Sequence, residues 1–388
     1  MNNYVEGFSF YLPTKLIYEV GAIKKKLSGE IKILNTNKVL VVTDPGVLKA
    51  GLLADVELTL KDNGIIYEVF SEVEANPSTD TCYKGYEIGK TMGAGALLTV
   101  GGGSAMDVAK AIAVLMTNGG DLTSYEGADK FTNDALPIIA IPTTAGTGSE
   151  VTTFAVITIK SRNYKMSIAS TRILPKVALL DPTVLNTLPP QIAAACGMDA
   201  LTHAVESYIN RASSPVTDAF GVEAIRLIGK YLRPFVANRA NMEAAAGMMV
   251  ASTLAGIAFC IARLGNVHAM AHPLGGFFNV PHGVANAILL PHVMKFNMLA
   301  DNGKYKRIAE LLGEDVNRLT DMEAAPLAVQ AILKLSAAIG IPKNLTDVGV
   351  KEDKIAQMSV DAMASGNVKI NPRVTVLADI EALYRGAM

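Results

Sequence analysis

The sequence predicts an α/β amino-terminal domain built on a parallel sheet, followed by an all-α carboxy-terminal domain, with the boundary between residues 185 and 186. Three observations carry this. Up to residue 185, short apolar runs rich in β-branched residues alternate with helical stretches, which is the pattern of a parallel sheet covered on both faces. After Asp181 such runs almost stop, and Ala/Met/Leu-rich segments with apolar spacing of three and four take over. Finally, 388 residues exceed what one core usually organises, and no repeat, low-complexity tract or long linker interrupts them. Domains 1–185 and 186–388 are therefore expected to join tightly, and small ligands usually bind in clefts between domains.

In chain order, the strands are read at Lys38–Thr43, Ile65–Phe70, Ala96–Val100 and Pro137–Ile141. Thr153–Ile159 and Met166–Ser170 suggest an antiparallel ribbon, and Val177–Leu180 a last strand. Helices then follow at Gln191–Asn210, Thr217–Leu232, Met242–Gly265, Val284–Asn297, Lys304–Leu312, Met322–Ile339, Lys351–Ala364 and Thr375–Tyr384.

Composition narrows the function classes. Half the residues are hydrophobic and 18% are charged, so the chain is globular. Its 35 basic and 36 acidic residues are interspersed, which points to neither nucleic acid nor an anionic membrane as partner. Cys82, Cys196 and Cys260 are scattered and lack C-x-x-C spacing, as expected of reduced thiols in the cytoplasm. The start, M-N-N-Y-V-E-G-F-S-F, shows no basic region leading into an apolar one, hence no export signal. Ala244–Ala262 is free of charge and long enough to span a membrane, but its Ala, Gly, Ser and Thr content favours a buried helix.

Two glycine-rich turns stand at predicted strand ends. Gly101-Gly102-Gly103-Ser104 precedes the helical stretch Ala105–Met116, and Thr143-Thr144-Ala145-Gly146-Thr147-Gly148-Ser149 follows the next strand. Bare glycine lets backbone N–H groups approach a phosphate, and a helix N-terminus adds partial positive charge. Either turn alone also fits a plain strand-to-helix connection; together they suggest a pyrophosphate cradle. Asp44 closes K-V-L-V-V-T-D, where a carboxylate can accept from a ribose diol and repel a 2′-phosphate, favouring NAD; D-P-G equally fits an ordinary turn.

Histidine usage is the sharper signal. Four of the five histidines lie within Gly265–His292, and the fifth, His203, follows Asp199 by one helical turn. Asp199, His203, His268 and His282 offer one carboxylate and three imidazoles, a set suited to Fe²⁺ or Zn²⁺ rather than Ca²⁺ or Mg²⁺. His272, one turn after His268, is read as a proton relay, with a ligand role as the alternative. His292, on an apolar stretch, is read as core.

Taken together, G-G-G-S-A-M-D-V-A-K, I-P-T-T-A-G-T-G-S-E-V-T, G-M-D-A-L-T-H-A-V-E-S-Y and G-N-V-H-A-M-A-H-P-L-G-G-F-F-N-V-P-H-G-V-A-N-A resemble the iron-containing (group III) alcohol dehydrogenases. The likeness spans essentially the whole chain and lies nearest the lactaldehyde reductase and 1,3-propanediol dehydrogenase branch. It implies the dehydroquinate synthase-like architecture, a nucleotide-binding α/β domain and a helical domain, with the active site in the cleft between them. It also implies Fe²⁺, with Zn²⁺ as substitute, on Asp199, His203, His268 and His282. NAD would be bound by Asp44, Asn76, Gly102, Gly103, Ser104, Thr143, Thr144, Thr147, Thr152, Lys165 and Leu188. The resemblance makes His272 the proton relay, places Phe154 and Phe259 along the substrate pocket, and implies a homodimer or larger homo-oligomer.

The expected reaction is hydride transfer between NAD(H) and a small (C2 to C4) primary alcohol or aldehyde, with the metal polarising the substrate oxygen. Arg263 suggests an anionic tail on the substrate if it faces the pocket; a snorkelling or helix-capping arginine is the plainer reading. Glycerol dehydrogenase-like or sulfoacetaldehyde reductase-like enzymes of the same fold, a metal-dependent hydrolase and a non-catalytic nucleotide sensor are the rivals.

Overall fold

The computed structural model describes residues 7–162, 164–301 and 303–388. Its strands are β1 (Lys15–Tyr18), β2 (Lys38–Val42), β3 (Ile66–Phe70), β4 (Ala96–Gly101), β5 (Gly127–Ala128), β6 (Ile138–Pro142), β7 (Phe154–Ile159), β8 (Tyr164–Ala169) and β9 (Val177–Leu180). Six of them form one sheet in the order β1-β9-β6-β4-β2-β3, and every neighbouring pair is parallel. The inner strands β9, β6, β4 and β2 are almost wholly buried, which is why they read as continuous apolar runs rather than alternating ones.

Helices α1 (Ala22–Ile33), α2 (Pro45–Lys49), α3 (Ala54–Asp62), α4 (Thr79–Met92) and α5 (Gly103–Asn118) accompany this sheet. Close packing of α4 needs a glycine: a Cβ at Gly85 would stand 2.4 Å from Ile112 Cδ1 of α5 and 2.9 Å from Phe70 Cδ1. The ribbon expected after residue 153 is present, β7 pairing antiparallel with β8, and the short β5 joins β8 in parallel. Sequence reading did not find β1. It is a four-residue edge strand, mostly exposed, so neither alternation nor a buried apolar run marks it; only its ladder with β9 defines it.

Past residue 189 the chain is helical: α6 (Pro190–Ile209), α7 (Pro215–Ala237), α8 (Met242–Ala262), α9 (Asn266–Phe278), α10 (His282–Asn297), α11 (Lys304–Leu311), α12 (Asp321–Ala338), α13 (Ile355–Met363) and α14 (Leu377–Gly386). The helix expected to run to Gly265 stops at Ala262, because Arg263 adopts a left-handed φ of 67° and ends it. A separate helix then carries His268 and His272 despite an internal Pro273, and α10 opens two residues earlier than expected, at His282.

Contacts divide the chain into two compact units. One comprises Leu12–Thr144 and Gly148–Leu188; the other comprises Pro189–Met388, Ala145–Thr147 and the segment ending at Tyr11. Helix α8 is long and apolar enough to cross a membrane, yet 67% of its most apolar stretch is buried inside the protein. Cys82, Cys196 and Cys260 are free thiols, Cys82 buried and the other two partly so. Residues 1–6, part of the stretch read as lacking an export signal, lie outside the described residues.

Candidate metal centre

Helix periodicity sets up the first half of the site. Asp199 and His203, four apart on α6, share a face, and Glu206 lies on the same stripe seven residues after Asp199. Helix α10 is brought against α6 backbone to backbone: a Cβ at Gly283 would stand 2.3 Å from the carbonyl oxygen of Ala195, so only glycine allows this approach beside His282. Helix α9 supplies His268.

These elements aim three imidazoles at one carboxylate oxygen. Asp199 Oδ1 lies 3.8 Å from His203 Nε2, 3.7 Å from His268 Nε2 and 3.8 Å from His282 Nε2. Donor atoms of Asp199, His268 and His282 all fall within 4.8 Å of one another. An ion bonded at about 2.1 Å to tetrahedral N and O donors spaces them roughly 3.4 Å apart, so Asp199, His268 and His282 would draw together to hold a divalent transition ion, while His203 lies outside this group of three. Asp199, His203 and His268 are buried, and His282 is 43% exposed, which leaves one side open.

The surroundings fix the imidazoles. His268 Nδ1 is 2.6 Å from Glu206 Oε2, whose other oxygen accepts the Val267 N–H at 2.7 Å. His203 Nδ1 is 3.2 Å from the Gly146 carbonyl, and its ring stacks on Phe259 of α8 with centroids 4.2 Å apart. In both rings the outer nitrogen is engaged, so Nε2 is the one presented to the shared space.

Charge follows from this crowding. Burial pushes the Asp199 carboxyl up, but His203 and the other imidazoles outweigh it and hold it well below the usual carboxylate range. Burial takes His203 down to about 4 against the pull of Asp199. Burial also acts to lower His268, yet Asp199 and Glu206 together carry it to about 9.

Two residues that sequence reasoning did not select complete the cluster: Glu206, and Asn286, whose amide nitrogen is 2.7 Å from Asp199 Oδ1. Each leaves only a faint signal in the sequence. Glu206 continues the Asp199 stripe on α6, and Asn286 follows His282 by one turn of α10. His272 is exposed, its ring stacked at 5.6 Å on that of His282 and edge-on to His268 at 6.5 Å. His292 faces Gly386, its Nδ1 3.8 Å from where a Cβ would stand there. Arg263 is an exposed residue ending α8; its N–H donates to Phe259 O, and its carbonyl accepts from Asn210.

Of the glycine-rich turns, residues 101–104, Thr143, Thr144, Gly148 and Ser149 belong to the sheet unit, and Ala145–Thr147 group with the helical unit. Gly102 caps α5 with extended backbone, and a Cβ on it would press to 3.3 Å on the Thr144 side chain, so the two turns meet there. Asp44 does what the turn reading expected: its Oδ1 accepts from the Gly46 and Val47 N–H groups at the start of α2. Its Oδ2 points toward Gly101, 3.4 Å from where a Cβ would be. Asn76, held at a left-handed φ of 55°, accepts from Lys165 Nζ at 2.6 Å, so these two residues form one unit. Thr143 and Thr152 are buried, and Gly103, Ser104, Phe154 and Leu188 are partly exposed. Thr147 follows Gly146 in the short segment that groups with the helical unit.

Comparison with known proteins decides the family. Residues 13–182 match the model of the iron-containing alcohol dehydrogenases, and residues 193–388 match that family's C-terminal model. The chain belongs to the iron-containing alcohol dehydrogenase family. It is 44% identical over 98% of its length, and 98% of the relative's, to a 1,3-propanediol dehydrogenase of Citrobacter freundii. Over 98% of this alcohol dehydrogenase and 100% of the relative, it is 36% identical to an NAD-dependent methanol dehydrogenase of Bacillus methanolicus. A crystal structure of a 1,3-propanediol oxidoreductase superposes with a TM-score of 0.96 at 43% identity, covering 98% of this chain and 100% of that one. The fold expected from the sequence, a parallel-sheet α/β half and a helical half, is thus that of the family, and the expected iron and NAD agree with it. The dehydrogenase is an oxidoreductase acting on alcohols.

Proposed function

We propose that this dehydrogenase interconverts small primary alcohols and their aldehydes with NAD(H), using a divalent ion held by Asp199, His203, His268 and His282. The convergence of three imidazole nitrogens within 3.7–3.8 Å of one carboxylate oxygen carries this reading. When bound, iron supplies Lewis-acid polarisation of the substrate oxygen, and NAD supplies the hydride-accepting carbon.

The chain's own residues supply the rest. Glu206 holds the Nδ1–H of His268, which keeps the Nε2 lone pair directed at the shared space. Phe259, fixed against His203, gives the centre an apolar wall suited to a short carbon chain. His272 is exposed beside His282 and carries the proton between the substrate hydroxyl and solvent. At the N-terminus of α5, the Gly102, Gly103 and Ser104 backbone holds the pyrophosphate with Thr143 and Thr144, while Asp44 Oδ2 accepts from the ribose. Asn76, Thr147, Thr152, Lys165 and Leu188 complete the cofactor contacts, and Phe154 the substrate contacts. We place the enzyme in the cytoplasm, in keeping with its free thiols, and propose a homodimer or larger homo-oligomer, since β1 is an edge strand showing Leu16 and Tyr18 41% and 47% exposed.

The test is an anaerobic assay of C2 to C4 alcohols and aldehydes, including an acid-bearing aldehyde, with NAD(H) and defined Fe²⁺ or Zn²⁺. Turnover of the short neutral substrates, lost on chelation and restored by metal, is expected. An enzyme that binds metal and NADH but turns over none of them is not what we propose.

A further inference from the structure

The side-chain amide of Asn286 on α10 reaches into the candidate metal centre. Its Nδ2 stands 2.7 Å from Asp199 Oδ1, 3.0 Å from His268 Nε2 and 3.1 Å from His282 Nε2. These are the same three residues whose donor atoms lie close enough together to share an ion. The other end of the amide, Oδ1, is fully buried and has no hydrogen-bond partner among the described residues. The carboxylate dictates which end faces inward: an N–H against Asp199 is attractive, whereas an amide oxygen there would meet an anion at contact distance.

A bound cation changes that preference. In the tautomer that ligates a metal, an imidazole Nε2 has one lone pair, in the ring plane, and it serves either an amide N–H or the ion. An ion taken up by His268 and His282 therefore evicts the amide hydrogens. The two ends of an asparagine amide are nearly equal in size and exchange by a half-turn about the last side-chain torsion. The oxygen brought inward by that half-turn is the atom that now lacks a partner.

On the reading that this cluster is the metal centre, we propose that Asn286 is a positioning residue that exchanges ends with the ion. Its two N–H groups serve Asp199 and His282 before the ion binds, and its Oδ1 turns to face the ion afterwards. The first state places a donor between the carboxylate and a neutral imidazole. The second adds an oxygen dipole to a cationic site.

The experiment titrates Co²⁺ into the full-length protein against a competing chelator, recording the visible spectrum, with Asn286→Ala and Asn286→Asp beside the wild type. Asn286→Ala is expected to lose about 10–100-fold in Co²⁺ affinity, with altered absorption bands and a lower melting temperature of the chelator-stripped protein. Asn286→Asp, which keeps an oxygen but lacks the N–H, should bind Co²⁺ at least as tightly as wild type, yet melt lower when stripped because two carboxylates face each other. Unaltered affinity and spectrum in Asn286→Ala would overturn the proposal. Tighter binding in that variant would overturn it too, since the amide would then only compete with the ion. Asp199→Ala separates the two readings: if wild type and Asp199→Ala bind Co²⁺ equally, the metal centre itself is misplaced and the Asn286 proposal falls with it.

Discussion

His268 Nδ1 and Glu206 Oε2 stand 2.6 Å apart with both side chains almost completely buried. A buried carboxylate behind a ligating histidine fixes the ring's tautomer and raises its basicity, and removing such a partner costs roughly 10–100-fold in metal affinity. Glu206→Ala is therefore expected to lose that much Zn²⁺ or Co²⁺ affinity in chelator competition, and Glu206→Gln less, because it still has an oxygen for the Nδ1–H. Wild-type affinity in a folded Glu206→Ala variant would show that His268 needs no such partner.

How far the sequence revealed this site depends on which physical signal each residue leaves. The parallel sheet was legible because burial on both faces leaves unbroken apolar runs, as in β2 and β4. Asp199, His203 and the later histidines were legible because rare side chains at helical spacing stand out against an apolar background. Glu206 and Asn286 were not, since a lone glutamate or asparagine on a helix usually faces water, and only the packing of α9 and α10 against α6 shows otherwise. The break at Arg263 was hidden for a different reason. Nothing in C-I-A-R-L-G marks a left-handed residue, and the turn is stabilised from a distance by Asn210, which donates to the carbonyls of Ala262 and Arg263.

Lys110 is fully buried on α5, its ammonium 2.8–3.0 Å from Ser149 O and Oγ, Thr152 O and Oγ1, and Phe154 O. Methionine at this position would take a donor away from those buried oxygens, and leaving buried acceptors unsatisfied costs about 1–3 kcal/mol. Urea unfolding of Lys110→Met should show a loss of that order. The segment carrying Thr152 and Phe154 would also loosen, so KM for NAD should rise more than kcat falls. A stability change under about 1 kcal/mol would mean the segment holds itself.

Asp44 has one oxygen committed to capping α2 and one directed at Gly101. Asp44→Gly removes both, so two separate effects are expected. Loss of the cap costs only a few tenths of a kcal/mol, because glycine is tolerated at that position. Loss of the second oxygen removes repulsion of a 2′-phosphate, and the ratio of NAD to NADP activity should fall by at least tenfold. An unchanged ratio would confine Asp44 to its capping role.

Asp107 gives the chain a pH dependence whose sign follows from burial. Its carboxylate accepts from the Val156 N–H and the Ser149 hydroxyl, yet burial dominates and lifts it from 3.8 to about 6, against the lowering pull of Lys110 and Lys165. Between those values the folded chain holds this proton more firmly than the unfolded one. The stability contributed by the site is thus fully present below about pH 4 and is lost as pH rises through about 6. Asparagine carries no such proton, while every other group titrates alike in both proteins. The melting temperature of Asp107→Asn minus that of wild type should therefore increase from pH 4 to pH 7 and then level off. A difference that stays flat or shrinks over this interval would mean that Lys110 and Lys165, rather than burial, govern the carboxyl.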